Sequence, residues 1–241
     1  MTTSTTTHPA ETANDVASES LKENDHKDVT TESSYWNDFY AKQLNTPMGI
    51  PSQFCVMVAT EADKNQPIVE YGCGNGRDSI YLARHGFKVY SGDLSEEAIT
   101  ANKQQGGDNG ANFNVCDVSK GDQVKSLLNK ARGATAKGNL SLYNRFFLHS
   151  LDDEQERLFL TAMSEAAIEG DTLYMEFRCS LDAKLDHLFK GHFRRYVETA
   201  NLVAMLETEL GWKVTYERTG QGMAKYKNED PFVSRLICTR K

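Results

Sequence analysis

Ile68-Val69-Glu70-Tyr71-Gly72-Cys73-Gly74-Asn75-Gly76-Arg77-Asp78 decides the fold: a short apolar strand runs into a glycine turn and out into a helix. Glycines without a Cβ take positive φ and let backbone approach a ligand, and the free N–H groups at the helix start receive polar or anionic ligand atoms. Asp93 follows Gly72 by 21 residues and ends a second strand, Lys88-Val89-Tyr90-Ser91-Gly92-Asp93, where a carboxylate can bind ribose hydroxyls. A glycine turn by itself can be only a tight turn; joined to Asp93 it describes a nucleoside pocket. The spacing is Gly-x-Gly-x-Gly, and Arg77 stands where a Gly-x-Gly-x-x-Gly turn needs its last glycine, which disfavours NAD and FAD.

Outward from this turn, short apolar runs alternate with helical patterns from Pro67 onward, the mark of βαβ units. Strands are expected near 67–72, 87–92, 111–116, 139–144, 171–177, 212–218 and 233–239. A helix is expected from Arg77 to His85, stopped by Gly86, and another after Ser95, whose side chain can cap it ahead of Glu96 and Glu97. Asp152 to Ala167 places Leu158, Phe159, Ala162 and Ala166 on one side, and Val197 to Leu210 repeats that pattern. Only a Gly- and Lys-rich connection separates the last two strands, so they form a hairpin. The expected fold class is α/β: a Rossmann-like, doubly wound seven-stranded sheet, mostly parallel, with an antiparallel C-terminal hairpin.

The 241 residues suit one domain behind a tail. Residues 1–34 are rich in Thr, Ser, Glu and Asp, hold no aromatic residue and cannot offset their ordering entropy, so they are expected to be disordered, with the folded domain at 35–241. Seven acidic residues against Lys22 and Lys27 put -5 of the formal -7 charge in that tail. The remainder is nearly neutral and lacks the broad positive field of a nucleic-acid binder. No apolar run reads as a signal or a membrane span, which points to a cytoplasmic protein without a membrane partner. The five cysteines form no C-x-x-C pair and read as buried free thiols, and His187 and His192 lack metal-ligand spacing, so no metal is expected.

Glu70 through Gly76 resembles motif I of class I S-adenosylmethionine-dependent methyltransferases, and Asp93 is similar to their acidic ribose-binding position. The resemblance covers about residues 67–240 and implies S-adenosyl-L-methionine as cofactor and S-adenosyl-L-homocysteine as product. It implies that Glu70 and Gly72 line the methionine end, that Asp117 lies where the family contacts adenine, and that Gly74, Gly76, Leu94 and Val118 also bind the cofactor. The segment Leu142-Tyr143-Asn144-Arg145-Phe146-Phe147-Leu148-His149 resembles the one that faces sulfonium and acceptor, which brings in Asn144 and Arg145. Ahead of the fold, Tyr35-Trp36-x-x-Phe39-Tyr40 has aromatics at helical spacing, either a lid over the cofactor that includes Trp36 or a helix packed on the sheet.

On the acceptor side, a hydroxyl requires a base, whereas a carboxylate, phosphate or phosphonate oxygen is already ionised and needs mainly cationic positioning. After the fifth strand come Arg178, Lys184, His187, Lys190, His192, Arg194, Arg195 and Tyr196. Arg suits planar oxyanions, so Arg178, Arg194 and Arg195 are the candidates to hold the acceptor, with Arg145 ranked after them, and His149 and His192 are candidate bases. The same charges also read as a solvated face or as ion pairs with nearby acids. Gly220 to Tyr226 and Glu229-Asp230-Pro231 form a connection that can cover the acceptor, with Lys225 pointing inward. The order of Tyr35-Trp36, Pro51-Ser52-x-Phe54, motif I, Arg145, Arg194-Arg195 and Glu229-Asp230-Pro231 is similar to methyltransferases of phosphonate and cell-surface saccharide biosynthesis. That similarity implies O-methylation of a small anionic acceptor. Transfer to sulfur or nitrogen of a metabolite, and a non-catalytic S-adenosylmethionine-binding regulator, are the alternatives.

Overall fold

The computed structural model describes residues 36–38, 40, 49–106, 110–135, 138–185 and 194–241. Seven strands, β1 (Ile68–Tyr71), β2 (Val89–Asp93), β3 (Ala111–Val115), β4 (Ser141–Arg145), β5 (Thr172–Arg178), β6 (Trp212–Gly220) and β7 (Val233–Arg240), form one sheet in the order β3-β2-β1-β4-β5-β7-β6. The first five are mutually parallel, and β7 enters antiparallel between β5 and β6. The reversal at β1, where the order turns from β2 to β4, opens the crevice in which such sheets bind ligands.

Helices cover the faces, among them α1 (Gln53–Glu61), α2 (Arg77–Arg84), α3 (Glu96–Gly106), α4 (Gly121–Arg132), α5 (Asp153–Ala166) and α6 (Thr199–Thr208). Their ends follow the chemistry of the sequence. The Ser95 hydroxyl accepts from the Ala98 N–H at 3.1 Å, and Asp152 and Gln155 close a reciprocal capping box on α5. Gly86, at φ 91°, lets the chain turn out of α2. Burial on both faces leaves β1, Ile68-Val69-Glu70-Tyr71, without alternation, and in β4 every residue but Arg145 is buried.

One core lies between the sheet and α4, α5 and α6, around Tyr71, Phe159, Phe177 and Trp212; a smaller one packs α1 and α2 around Phe54, Ile68 and Tyr143. Two details differ from the pattern in the sequence. Leu158 is 46% exposed, because α5 turns Phe159, Leu160 and Met163 inward instead. Val197 lies ahead of α6 in a parallel bridge to Cys179, since the chain must first return along β5. All five cysteines are buried free thiols. Among the described residues no helix is long and apolar enough to cross a membrane, and no group of His, Cys, Asp and Glu could hold a metal ion.

Candidate active site

The turn between β1 and α2 holds Gly72, Gly74 and Gly76 at φ 73°, 51° and 70°, a backbone that side chains rarely adopt. Added side chains would meet Phe147 at Gly72 and the Tyr40 hydroxyl at Gly74. The turn is clamped from both sides. Asp93 Oδ2 accepts from the Gly74 N–H at 2.8 Å and Oδ1 from the Ser95 N–H at 3.0 Å, while Asn102 Nδ2 donates to the Gly74 carbonyl at 2.8 Å. Burial pushes the Asp93 carboxyl up from its ordinary range, and the Ser95, Gly74 and Leu94 N–H groups pull against that shift. Asn102 carries no signal in the sequence, because it belongs to α3 and meets the turn only through folding.

A cavity of about 90 Å³ opens against this turn. Gly72, Asp93 and Leu94 form one wall and Asp117 and Val118 another. Trp36 and Tyr40, stacked with centroids 6.0 Å apart, close it from the N-terminal side, and Phe146 and Phe147 bound it from β4. Asp117 is fixed by accepting from the Ser119 N–H at 3.0 Å and hydroxyl at 2.6 Å. The expected Tyr35 and Phe39 lie outside the described residues.

Glu70, expected at the methionine end, does not line the cavity; it is buried behind the turn and accepts from the Ser79 hydroxyl, which bonds Ser91 at 2.6 Å. Its carboxyl is pushed up to about 8, chiefly by burial and then by Asp78. Asp78 in turn accepts from the Ser52 N–H at 2.8 Å, the Ser52 hydroxyl at 2.7 Å and the Tyr143 hydroxyl at 2.8 Å, fastening α1 and α2 to β4. Gly74 and Gly76 likewise shape the turn without facing the cavity.

Beyond the cavity, the ends of β4, β5 and β7 carry three arginines. Arg145 donates from Nε to Glu176 Oε1 at 2.8 Å, and Arg235 donates from Nε to Glu176 Oε2 at 2.7 Å, so one fully buried carboxylate is shared between two guanidiniums. Arg178 is committed elsewhere, to Asp182 at 2.7 Å and Glu229 at 2.7 Å. It thereby anchors the β6–β7 connection that was expected to cover the acceptor. Phe146, at φ 52°, sets its ring 4.0 Å from the Arg145 guanidinium and 5.2 Å from that of Arg178. Left-handed backbone at a bulky residue is strained and collects at functional sites. Asn144, beside Arg145, is buried with neither amide atom hydrogen-bonded, at a cost of about 1–3 kcal/mol for each unsatisfied group.

The remaining candidates separate. Arg195, expected to hold the acceptor, is instead taken up in a structural tie: it pairs with Asp153 and Glu156 in the acidic first turn of α5 and donates to the Leu151 carbonyl at 3.0 Å. His149 is buried with its ring 5.4 Å from that of Phe146, and its carbonyl accepts from the Arg195 N–H at 2.8 Å. Arg194 is partly buried. His192, with His187 and Lys190, lies outside the described residues, and Lys225 is exposed where an inward side chain was expected. Arg235 and Glu176 were not singled out, since an isolated Arg in a C-terminal strand and a Glu in a buried one give no sign that they meet.

Residues 68–163 match the family model described as a methyltransferase domain. No curated protein matches the chain. Among solved structures, the chain is similar to an S-adenosylmethionine-dependent methyltransferase from Anabaena variabilis, with TM-score 0.68 and 13% identity over 87% of this chain and 95% of that one. Magnesium protoporphyrin IX methyltransferase from Synechocystis with bound S-adenosylhomocysteine gives TM-score 0.63 at 17% identity, covering 89% and 100%. A glycopeptide N-methyltransferase complexed with S-adenosylhomocysteine gives 0.58 at 13%, covering 82% and 90%. At such identities the likeness is one of fold.

Proposed function

We propose that the chain is a class I S-adenosylmethionine-dependent methyltransferase, a reading supported by the match of residues 68–163 to a methyltransferase domain, and that it methylates an oxygen of a small anionic metabolite bearing a phosphonate, phosphate or carboxylate group. The observation that carries this is Arg145: its Nε is locked on Glu176, while among the described residues nothing hydrogen-bonds Nη1 or Nη2. A guanidinium held in one plane with a vacant edge suits an oxyanion.

The residues present fit the cofactor. The glycine turn leaves backbone open to a ligand, the Asp93 carboxylate borders the cavity, and the Asn144 amide is buried without a partner. Asp93 and Leu94 would hold the ribose, Asp117 and Val118 the adenine, and Gly72 the amino-acid end, with Trp36 and Tyr40 as the cover. S-adenosylmethionine supplies an electrophilic methyl group on a sulfonium. The protein's own work is then to align the acceptor, keep water out and hold the accepting oxygen ionised. An acceptor already anionic at neutral pH needs no general base, so Arg145 orients it and no proton has to move. Five buried free thiols favour a reducing, cytoplasmic setting. Residues 35–241 form the catalytic domain in this reading, behind a tail of residues 1–34.

Calorimetric titration with S-adenosylmethionine and S-adenosylhomocysteine, in wild type and Asp93→Ala, comes first, then a panel of anionic acceptors with wild type and Arg145→Gln. Binding that weakens in Asp93→Ala and turnover that collapses in Arg145→Gln support the proposal. Turnover of a neutral amine or thiol, indifferent to Arg145→Gln, would assign transfer to nitrogen or sulfur. Tight cofactor binding without turnover across anionic, amine and thiol acceptors would favour a regulator.

A further inference from the structure

Resting on the reading of Arg145 as the acceptor anchor, we infer that Arg235 is a positioning residue: by occupying one oxygen of Glu176 it keeps that carboxylate from gripping the Arg145 fork, which stays open for an oxyanion. An arginine and a carboxylate left to themselves pair through two parallel N–H bonds. Arg145 and Glu176 depart from that geometry. Arg145 donates only from Nε, to Oε1 at 2.8 Å, while Oε2 is taken by Arg235 Nε at 2.7 Å. Among the described residues nothing hydrogen-bonds Arg145 Nη1 or Nη2, and the side chain keeps 13% exposure where that of Glu176 has none, so a ligand can reach the arginine and not its partner.

Arg235 is itself held so that it does not take the anion. Its Nη2 donates to the Met223 carbonyl at 2.7 Å and its Nη1 to Met57 Sδ at 3.7 Å, so each of its nitrogens has a partner, and its guanidinium lies 5.2 Å from the Phe54 ring. These contacts come from β5, from α1 and from the β6–β7 connection, and together they fix the direction from which Arg235 meets Oε2. On the other side of Glu176, Phe146 lies 4.0 Å from the Arg145 guanidinium, sets its plane and also borders the cavity beside Asp93. With Arg235 removed, both oxygens of the buried carboxylate are left to one guanidinium, and Glu176 takes Nη as well as Nε. The acceptor then competes with Glu176 for the same N–H groups.

The test uses full-length protein saturated with S-adenosylhomocysteine, titrated by NMR with benzoate and phenylphosphonate, which carry two kinds of oxyanion head on one ring. At least one should bind, and Arg145→Gln should weaken it by about tenfold or more. Arg235→Met should weaken the same anion by about tenfold with S-adenosylhomocysteine affinity unchanged, and Arg235→Lys, which keeps a cation on Oε2, should bind it within about threefold of wild type. The deciding variant joins Arg235→Met to Glu176→Gln. An amide offers one oxygen, beside an NH2 that repels a second N–H, so anion binding should return to within about threefold of wild type, where a merely structural Arg235 predicts a further loss. Circular dichroism establishes that each variant is folded; should Arg235→Met alone unfold, Arg235→Lys and the double variant, in which no carboxylate is left half-paired, still decide. Anion binding indifferent to Arg235→Met, as weak in Arg235→Lys as in Arg235→Met, or lost further in the double variant overturns the inference and leaves Arg145 as the anchor. Binding of neither anion, or binding indifferent to Arg145→Gln, brings down the acceptor reading, and a folded protein that does not hold S-adenosylhomocysteine brings down the methyltransferase reading; the inference falls with either.

Discussion

At the β1–β2–β3 side of the crevice, ligand-facing groups are held by backbone and by neighbours close in the chain: Asp93 on Gly74 and Ser95, Asp117 on Ser119. At the β4–β5–β7 side, the ties are ion pairs between residues 31, 51 and 59 positions apart, Arg145 to Glu176, Arg178 to Glu229 and Arg235 to Glu176. The first arrangement presents a cradle of N–H groups and one carboxylate that suits a constant cofactor. The second is a set of charges balanced against each other, in which changing one partner resets the charge offered to an acceptor. On the proposed assignment cofactor use and acceptor choice are separable, and substitutions on one side should leave the other side's binding intact.

The largest effect should come from the ion-pair side. Glu176→Ala strands two buried guanidiniums and is expected to destabilise the protein by ~3–5 kcal/mol in urea unfolding; a loss below ~1 kcal/mol would mean that the arginines find other partners and that the two sides are not built differently. On the cofactor side, Asp93→Ala should weaken S-adenosylmethionine by about 10- to 100-fold in calorimetry, the worth of ~1.5–3 kcal/mol for bonds to a charged group, with acceptor binding kept. Loss of both ligands together would break the separation.

Glu70 sharpens the contrast by pH. Its carboxyl, lifted from 4.5 to about 8 chiefly by burial, holds its proton more firmly in the folded chain than in the unfolded one. Its contribution to stability is therefore fully present below about 4.5 and lost as pH rises through about 8. Glu70→Gln should flatten that part of the stability–pH curve, and an unchanged slope would show that another group sets it. The smallest effect is expected at the surface. Glu209→Gln breaks the exposed pair with Arg157 and should shift stability by less than ~1 kcal/mol, so a larger change in urea unfolding would erase the distinction between buried and exposed ion pairs.

The difference between the two sides also explains what the sequence disclosed. All seven strands fall within a residue or two of their apolar runs, and the glycine turn, the Ser95 cap and the C-terminal hairpin are local signals that survive folding unchanged. Asp93 was legible because its position at the end of β2 is set by the strand itself. Arg178 and Arg195 looked alike in the chain, yet one pairs with Asp182 and Glu229 and the other with Asp153 and Glu156 at the start of α5, because their carboxylate partners are set by the fold. Arg235, and the Ser52–Asp78–Tyr143 knot whose members lie 26 and 65 positions from Asp78, escaped notice for the same reason. Leu158 misled because a helix stripe about one residue wide of the core-facing line still keeps the helical period.

The chain contains only two tryptophans, and the fold sends them to opposite environments. Trp212 is fully buried in the large core with its indole N–H on the Ser164 hydroxyl at 2.8 Å, while Trp36 sits in the cavity wall stacked on Tyr40. Emission from Trp212 should follow global unfolding, and emission from Trp36 should follow events in the crevice. The protein carries its own two-channel optical gauge, in which filling the cavity and losing the fold are read as separate signals without any added dye.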